Sequence, residues 1–290
     1  MAQGEKNVTA AGEGRREGPA LRQSSPRTER ASAELAADLP VAPALEARGL
    51  TLSWDGEHVV VRDVDVTVAP GEVCCLVGRS GCGKTTILHA LAGLTTPLSG
   101  RVLLHGEDVT GSPGRVSYML QKDLLLPSRR IIDNVCLPLV LAGMRKADAR
   151  AKAAPLFERF GLAGCELKWP GELSGGMRQR AAFLRTYLMG ADVTLLDEPF
   201  SALDALTRTD VRRWFVDVAA ELGLSALVIT HDVDEAVSMA SRIYVLAGAP
   251  AAGEPSHVAG IVRVRRVASE SFELTDEYLA AKREVMALLD

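Results

Sequence analysis

Apolar and polar side chains alternate from the start of the ordered part of the chain. Leu50, Leu52 and Trp54 alternate with polar residues, and Asp55-Gly56 marks a turn. Val59–Val61 follows, and Val64, Val66 and Val68 then alternate with Asp63, Asp65 and Thr67. Successive side chains of a strand point to opposite faces, so this period predicts antiparallel strands with one buried face, closed by Pro70-Gly71. Val73–Val77 is wholly apolar, as expected of a strand buried on both faces of a parallel sheet. A helix is predicted over Thr85–Leu94, with Gly93 near its end, and further strands over Arg101–His105 and Val116–Leu120. Residues 122–172 read as mostly helical, broken at Pro127, Pro138, Gly143, Pro155 and Pro170. Val193–Leu196 and Ala226–Ile229 are short apolar strands, each preceded by a helical stretch. The alternation predicts an α/β sheet with a helical insertion.

The two ends read differently. Residues 1–44 are rich in Gly, Ala, Ser, Glu and Arg and nearly devoid of aromatic and β-branched side chains. Such a stretch cannot bury enough apolar area to offset its ordering entropy, so a disordered tail is expected, with acidic and basic residues in rough balance. Beyond Gly248, a strand is expected over Ile261–Val267 and a helix from Thr275, with Asp276 and Glu277 in its first turn. Tyr278, Ala281, Val285 and Leu288 share one face of that helix, a stripe expected to pack on the domain. The organisation is thus a tail (1–44), a domain (45–250) with its helical part at about 122–172, and a C-terminal extension (251–290) packed on it.

Composition narrows the function. A net charge of −4 over 290 residues argues against nucleic acid as a partner, because sequence-independent binding needs a basic face to displace counterions. The five cysteines (Cys74, Cys75, Cys82, Cys136 and Cys165) form no CxxC pair and have no His at zinc-ligand spacing, the pattern of reduced thiols. No apolar run is long enough to span a bilayer and the N-terminus has no signal core, so a cytosolic chain is expected, serving a membrane only through a partner.

Two motifs carry chemistry. Gly78-Arg79-Ser80-Gly81-Cys82-Gly83-Lys84-Thr85 fits GxxxxGK[ST], after a buried strand and before a helix. Gly78, Gly81 and Gly83 allow backbone N–H groups to wrap phosphates, and the helix N-terminus adds partial positive charge. Lys84 can reach the β- and γ-phosphates, and Thr85, followed by Thr86, can place its hydroxyl on Mg²⁺. Four fixed positions arise by chance in roughly one chain per hundred of this length, and the strand–loop–helix context lowers that further. Cys82 sits in this loop near a helix N-terminus, which favours thiolate and predicts reactivity toward thiol reagents; an inert small side chain is the other reading. The second motif is Val193–Leu196 followed by Asp197-Glu198, an apolar strand that delivers two carboxylates to a sheet edge. Asp197 suits the Mg²⁺ shell and Glu198 the polarisation of an attacking water.

Leu173-Ser174-Gly175-Gly176-Met177-Arg178-Gln179-Arg180 resembles the signature motif of the ABC ATPase family. Trp54, Gln121, Ser201-Ala202-Leu203-Asp204 and His231 match further family motifs in order, and the resemblance covers about residues 45–248. It implies a P-loop NTPase ABC cassette: a RecA-like core, an antiparallel β subdomain and a helical subdomain. It implies that Trp54 stacks on adenine, that Gln121 contacts Mg²⁺ and the attacking water, and that His231 orients Glu198 and the γ-phosphate. It also implies that Ser174, Gly175 and Gly176, with Asp204 at the interface, face ATP bound to a second copy in a head-to-tail sandwich dimer. Taken singly, Trp54 reads as core, Gln121 and His231 as loop polar groups, and Ser174 as a helix cap. Met177 replaces the frequent Gln of the signature, and Ser128 stands where related importers often carry Trp.

Details such as Tyr118–Asp123, Leu126-Pro127, Asp133–Val135 and Asp197–Asp204 look like the nitrate, sulfonate, taurine and thiamine-precursor importers, and Arg180–Leu188 leans toward the thiamine-precursor branch. The resemblance implies an ATPase, a translocase subunit at the cytoplasmic face of the membrane, partnered by permease subunits and indirectly by a solute-binding protein. An exporter or lipoprotein-release ATPase is the alternative. A soluble ABC ATPase of translation or DNA repair would need two cassettes, a coiled-coil insertion or a basic face, none of which is visible in the chain.

Overall fold

The structure is a computed structural model that describes residues 42–265 and 272–289. The expected disordered tail lies outside the described residues up to position 41. Order is already present at Ala44, which is buried and donates its N–H to Val68 O at 2.8 Å.

Strands β1 (Leu45–Ser53) and β2 (Val59–Val68) pair antiparallel, and β1 also pairs with β4 (Ser99–Leu104), which carries the short β5 (Glu107–Asp108). The predicted alternation holds on β2 at Val64 and Val66, which are buried, and ends at Thr67, which is buried beside Val68. Strands β3 (Val73–Gly78), β6 (Ser117–Met119), β7 (Val193–Asp197) and β8 (Ser225–Thr230) are parallel, with β9 (Arg242–Ala249) on the other side of β3. All lie in one ten-stranded sheet of order β5-β4-β1-β2-β10-β9-β3-β8-β7-β6.

The wholly apolar strands are explained by two cores. Cys75 and Val77 of β3, Val228 of β8 and Ile243 of β9 face one core, while Cys74, Leu76, Leu227 and Tyr244 face the other. With both faces buried, apolar side chains fill most positions on these strands, and the polar Arg242 and Tyr244 of β9 are hydrogen-bonded to Thr67. Helix α1 (Lys84–Leu91) belongs to the second core through Ile87 and Leu88. It is shorter than the sequence reading, ending at Ala92 because Gly93 turns left-handed with φ 71°.

Four short helices, α2 (Ile131–Val135), α3 (Leu137–Leu141), α4 (Lys146–Ala153) and α5 (Leu156–Arg159), fill the stretch read as a helical insertion. Pro138 sits in the first turn of α3, where its missing N–H has no helical partner to lose. Asn134 is fully buried and ties α2 to the preceding loop: its Oδ1 accepts from Leu126 N (2.7 Å), and its Nδ2 donates to Leu126 O (3.1 Å) and Arg129 O (3.0 Å). Helices α6 (Gly175–Tyr187), α7 (Ala205–Leu222) and α8 (Val233–Met239) cover the first core. Among the described residues, no helix is long and apolar enough to cross a membrane.

The C-terminal strand differs from the sequence reading. Strand β10 runs over Glu254–Arg263, between β2 and β9, rather than from Ile261 to Val267. It contains Pro255, His257 and Gly260, which mask the alternation, and positions 266–267 lie outside the described residues. Helix α9 (Asp276–Leu289) follows, with Tyr278, Ala281 and Val285 buried in the first core and Leu288 packed against it.

Replacing Asn134 by Ala leaves Leu126 N–H and three carbonyls, those of Leu126, Arg129 and Arg130, without their side-chain partner. A loss of about 1–3 kcal/mol is expected, since a stranded polar group costs its desolvation. Denaturant unfolding monitored by circular dichroism checks it, and a midpoint equal to wild type would contradict the account.

Candidate active site

Strands β3, β6, β7 and β8 run parallel, so their C-terminal ends share one edge of the sheet, where α/β proteins bind ligands. From this edge emerge the loop 78–85 after β3, Gln121 after β6, Asp197-Glu198 at the end of β7 and His231 after β8. The fold therefore gathers residues spread over more than half the chain.

The loop needs its glycines. Gly81 and Gly83 have φ of 78° and 91°, and a Cβ on Gly83 would lie 2.8 Å from Val61 Cγ2. Gly78 has no room for a side chain either, because a Cβ there would lie 2.7 Å from Cys82 Sγ. Lys84 is buried, and its ammonium donates to Gly78 O (2.8 Å) and Arg79 O (3.0 Å). Ser80 is exposed on the loop. Thr86 accepts a hydrogen bond from Trp54 Nε1 at 3.2 Å. Trp54 is 65% exposed, which excludes its reading as a core residue.

Thr85 Oγ1 donates to Asp197 Oδ1 (3.4 Å), and Tyr118 OH donates to Asp197 Oδ2 (3.3 Å). Burial pushes the Asp197 carboxyl above its ordinary range; the bond from Tyr118 opposes this, and the neighbouring Glu198 adds to it. The Tyr118 hydroxyl is raised too, first by burial and then by the charge of Asp197. Tyr118 stands three residues before Gln121 in the quoted stretch, but sequence reading gave it no role. Its contact with Asp197 exists only because β6 and β7 are neighbours.

Glu198 adopts φ 42°, a left-handed conformation that costs a non-glycine residue roughly 1–3 kcal/mol. Its surroundings hold it there: Glu198 N–H donates to Ile229 O (3.0 Å), and Ser201 Oγ donates to Glu198 O (2.9 Å). The carboxylate accepts from Gln121 Nε2 (3.2 Å), and its other oxygen lies 3.2 Å from His231 Nδ1. Gln121 Nε2 also donates to Ser201 Oγ at 3.2 Å.

Ser174 caps α6, as its local reading suggested, accepting from Met177 N at 3.3 Å. Gly175 approaches Leu203, and a Cβ on Gly176 would lie 2.8 Å from Thr207 Cγ2, so bare backbone lets α6 close on α7. Asp204 caps α7 by accepting from Thr207 N (3.1 Å). Among the described residues, the hydrogen bonds joining Thr85, Asp197, Tyr118, Glu198, Gln121 and His231 do not include Ser174 or Asp204. The signature helix reaches the site another way: Gln179 donates to Pro199 O, next to Glu198. Arg178 pairs with Asp123 (3.2 Å), and Arg185 donates to Asp123 O (2.6 Å) and Leu124 O (2.9 Å), gripping the segment after Gln121.

The thiolate expectation for Cys82 is overturned. Its sulfur is packed beneath the loop against Gly78, and burial pushes the thiol up, opposed only in part by Lys84 and backbone hydrogen bonds. The inert reading holds.

A glycine loop between a buried strand and a helix, faced by a strand-end carboxylate pair, defines a phosphate-loop nucleotide-binding α/β domain. The ABC transporter family model matches residues 61–201. The chain is 35% identical over 240 residues to the formylaminopyrimidine import ATP-binding protein ThiZ of Halalkalibacterium halodurans, covering 83% of this chain and 94% of that one. It is 39% identical to the taurine import ATP-binding protein TauB of Yersinia pestis, covering 71% and 80%. It is also 43% identical to the Fe(3+) ions import ATP-binding protein FbpC of Agrobacterium fabrum, covering 66% of this chain and 55% of that one. A solved dimeric bacterial ABC transporter cassette, MJ0796, shares the fold with a TM-score of 0.64 at 24% identity, covering 77% of this chain and all of that one. The chain belongs to the ATP-binding proteins of ABC transporters, ATPases that drive transport.

Two measurements test the site's electrostatics. Tyr118→Phe removes the bond that opposes the upward shift of Asp197, so the Asp197 pKa rises further; a carboxyl-carbon NMR titration reads it, and an unmoved titration would sink the assignment. At neutral pH, Cys82 is expected to react at least about tenfold more slowly with a maleimide than an exposed thiol, because the thiolate is the nucleophile. Mass spectrometry of partially labelled native chain reads the order of labelling, and early labelling of Cys82 would refute its burial.

Proposed function

We propose that this chain is the ATP-hydrolysing subunit of an importer, acting at the cytoplasmic face of a membrane as one of two copies bound to permease subunits. The observation that carries the reading is the convergence of the phosphate loop, the Thr85–Asp197 pair and the Gln121–Glu198–His231 cluster at one sheet edge. Gly78, Ser80, Gly81, Gly83, Lys84, Thr85 and Thr86 bind the phosphates through backbone N–H groups, the ammonium and the hydroxyls. Trp54, exposed beside Thr86, offers its ring to adenine.

The donor set fits Mg²⁺. One hydroxyl and one carboxylate converge beside the loop, and no cluster of three or more His, Cys, Asp or Glu suited to a metal occurs among the described residues. Mg²⁺ favours such sparse sites, since it keeps water and substrate phosphate as most of its ligands. Thr85, Asp197 and Gln121 would hold it, and it would neutralise phosphate charge when bound with ATP. Glu198 polarises the attacking water, and His231 and Gln121 fix the orientation of that carboxylate through their contacts with its two oxygens.

Ser174, Gly175 and Gly176 lie outside this cluster, so they act on ATP held by a second, head-to-tail copy, with Asp204 at the same interface. The similarity in fold to a dimeric cassette supports this arrangement. ATP favours the closed pair and ADP the open one, a difference in affinity that drives the cycle. Leu124, Leu126 and Leu141 expose apolar surface on the helical part, Leu141 at 78%, and offer a seat for the permease. The transported solute is of the nitrate, sulfonate, taurine or thiamine-precursor type. Import proteins named for formylaminopyrimidine and taurine match over 94% and 80% of their length, and those named for iron and nitrate over 55% and 31%. A solute-binding protein delivers the solute to the permease.

Glu198→Gln is expected to lower ATP turnover roughly 10²–10⁴-fold while leaving ATP affinity within a few-fold of wild type. Lys84→Ala should weaken nucleotide binding itself. Phosphate release and equilibrium binding of a fluorescent ATP analogue separate the two, and wild-type turnover by Glu198→Gln would overturn the assignment of the base. Purification from native membranes with a six-helix permease attached supports the importer reading; recovery with ribosomes overturns it.

A further inference from the structure

We infer that α9 is a strap joining the phosphate loop to the helix behind His231, and that Tyr278, Lys282 and the carbonyl of Leu289 are positioning groups for ATP turnover. The inference rests on the site assigned above. Four contacts carry it. At one end of α9, Arg79 of the phosphate loop donates from Nη2 to Leu289 O at 3.2 Å. In the middle, Tyr278 OH (2.5 Å) and Lys282 Nζ (2.6 Å) both donate to Asp234 Oδ1. Before the helix begins, Glu273 pairs with Arg212 of α7.

Asp234 lies in the first turn of α8, three residues after His231, and Asp232 caps that helix by accepting from Glu235 N at 3.1 Å. His231 in turn lies 3.2 Å from Glu198 Oε1. Asp234 is therefore joined to His231 through the N-cap residue Asp232 and the first turn of α8. The 14 residues of α9 span about 21 Å, enough to reach from α8 to the phosphate loop. The strap is stiff because it is packed along its length: Tyr278, Ala281 and Val285 share a core with Ala236 and Val237 of α8 and with Ala240 just beyond it. Its end is seated on Gly260 of β10, where a Cβ would lie 2.7 Å from Leu288 Cδ1. Burial pushes the Asp234 carboxyl up, but the bonds from Lys282 and Tyr278 outweigh it and hold the group below its ordinary range.

The two ends make separable predictions for the full chain. Tyr278→Phe combined with Lys282→Ala frees Asp234 and should lower kcat about three- to tenfold with KM for ATP within twofold, whereas Lys282→Arg should retain wild-type kcat. Arg79→Ala, and a chain shortened by Leu288–Asp290, should each raise KM for ATP by about three- to tenfold. Because both remove the Arg79–Leu289 contact, the combined variant should be no worse than the shortened chain alone. Circular dichroism fixes the folded fraction, so rates are expressed per folded molecule. Additive effects of Arg79→Ala and the shortened chain, or an unchanged kcat per folded molecule when Asp234 is freed, would overturn the strap. A wild-type chain that neither binds nor hydrolyses ATP would overturn the proposed function, and the strap with it. Wild-type turnover with unaltered variants would overturn the strap alone.

Discussion

Parallel pairing of β3 with β8, and of β8 with β7, is the constraint on which the remaining structure depends. The register sets Val77 against Thr230 and Asp197 against Ile229, so the phosphate loop, the carboxylate pair and His231 leave the sheet at one level. Each of these strands is apolar on both faces and is clamped between two cores. A shift of register by one residue would turn every side chain to the other face, which the two cores resist together. The precision of the site is thus inherited from hydrophobic burial and backbone hydrogen bonding in the sheet.

On that rigid edge the site stores local strain. Glu198 is held in a left-handed conformation by a bond from its own N–H to Ile229 O and by Ser201 on its carbonyl. The conformation aims the carboxylate at Gln121 and His231, groups supplied by two other strand ends. Helix α6 then links this cluster to the helical part of the molecule, through Gln179 on Pro199 O and through Arg178 and Arg185 on the Asp123 segment. Movement of the helical part relative to the sheet therefore acts on both sides of Glu198. This is a physical route by which nucleotide state and the exposed leucines of the helical part can be coupled.

The C-terminal segment extends the same logic. Strand β10 closes the gap between β2 and β9, joining the antiparallel strands to the parallel ones in one sheet. Helix α9 then returns across α8 to the phosphate loop. The last part of the chain thus touches both the glycine loop, at Arg79, and the helix that follows His231, at Asp234.

The sequence by itself determined the strand before the phosphate loop, the loop's glycines, the Asp197-Glu198 pair, the cap at Ser174 and the buried stripe of α9. Each of these is a local pattern: an apolar run, a turn residue, a cap or a helical period. Tertiary structure decided what local pattern cannot carry. It placed Tyr118 on Asp197 and Gln179 on Pro199, because strand order and helix packing bring together residues 79 and 20 positions apart. It reversed the expectation for Cys82, because a helix N-terminus is a local feature whereas burial beneath Gly78 is set by the whole loop. It started β10 at Glu254, since pairing with β9 supplies the hydrogen bonds that Pro255 and Gly260 hide from any reading of alternation. Chemistry was legible where neighbours in sequence carry it, and contacts across the sheet became visible only once register and packing had been set.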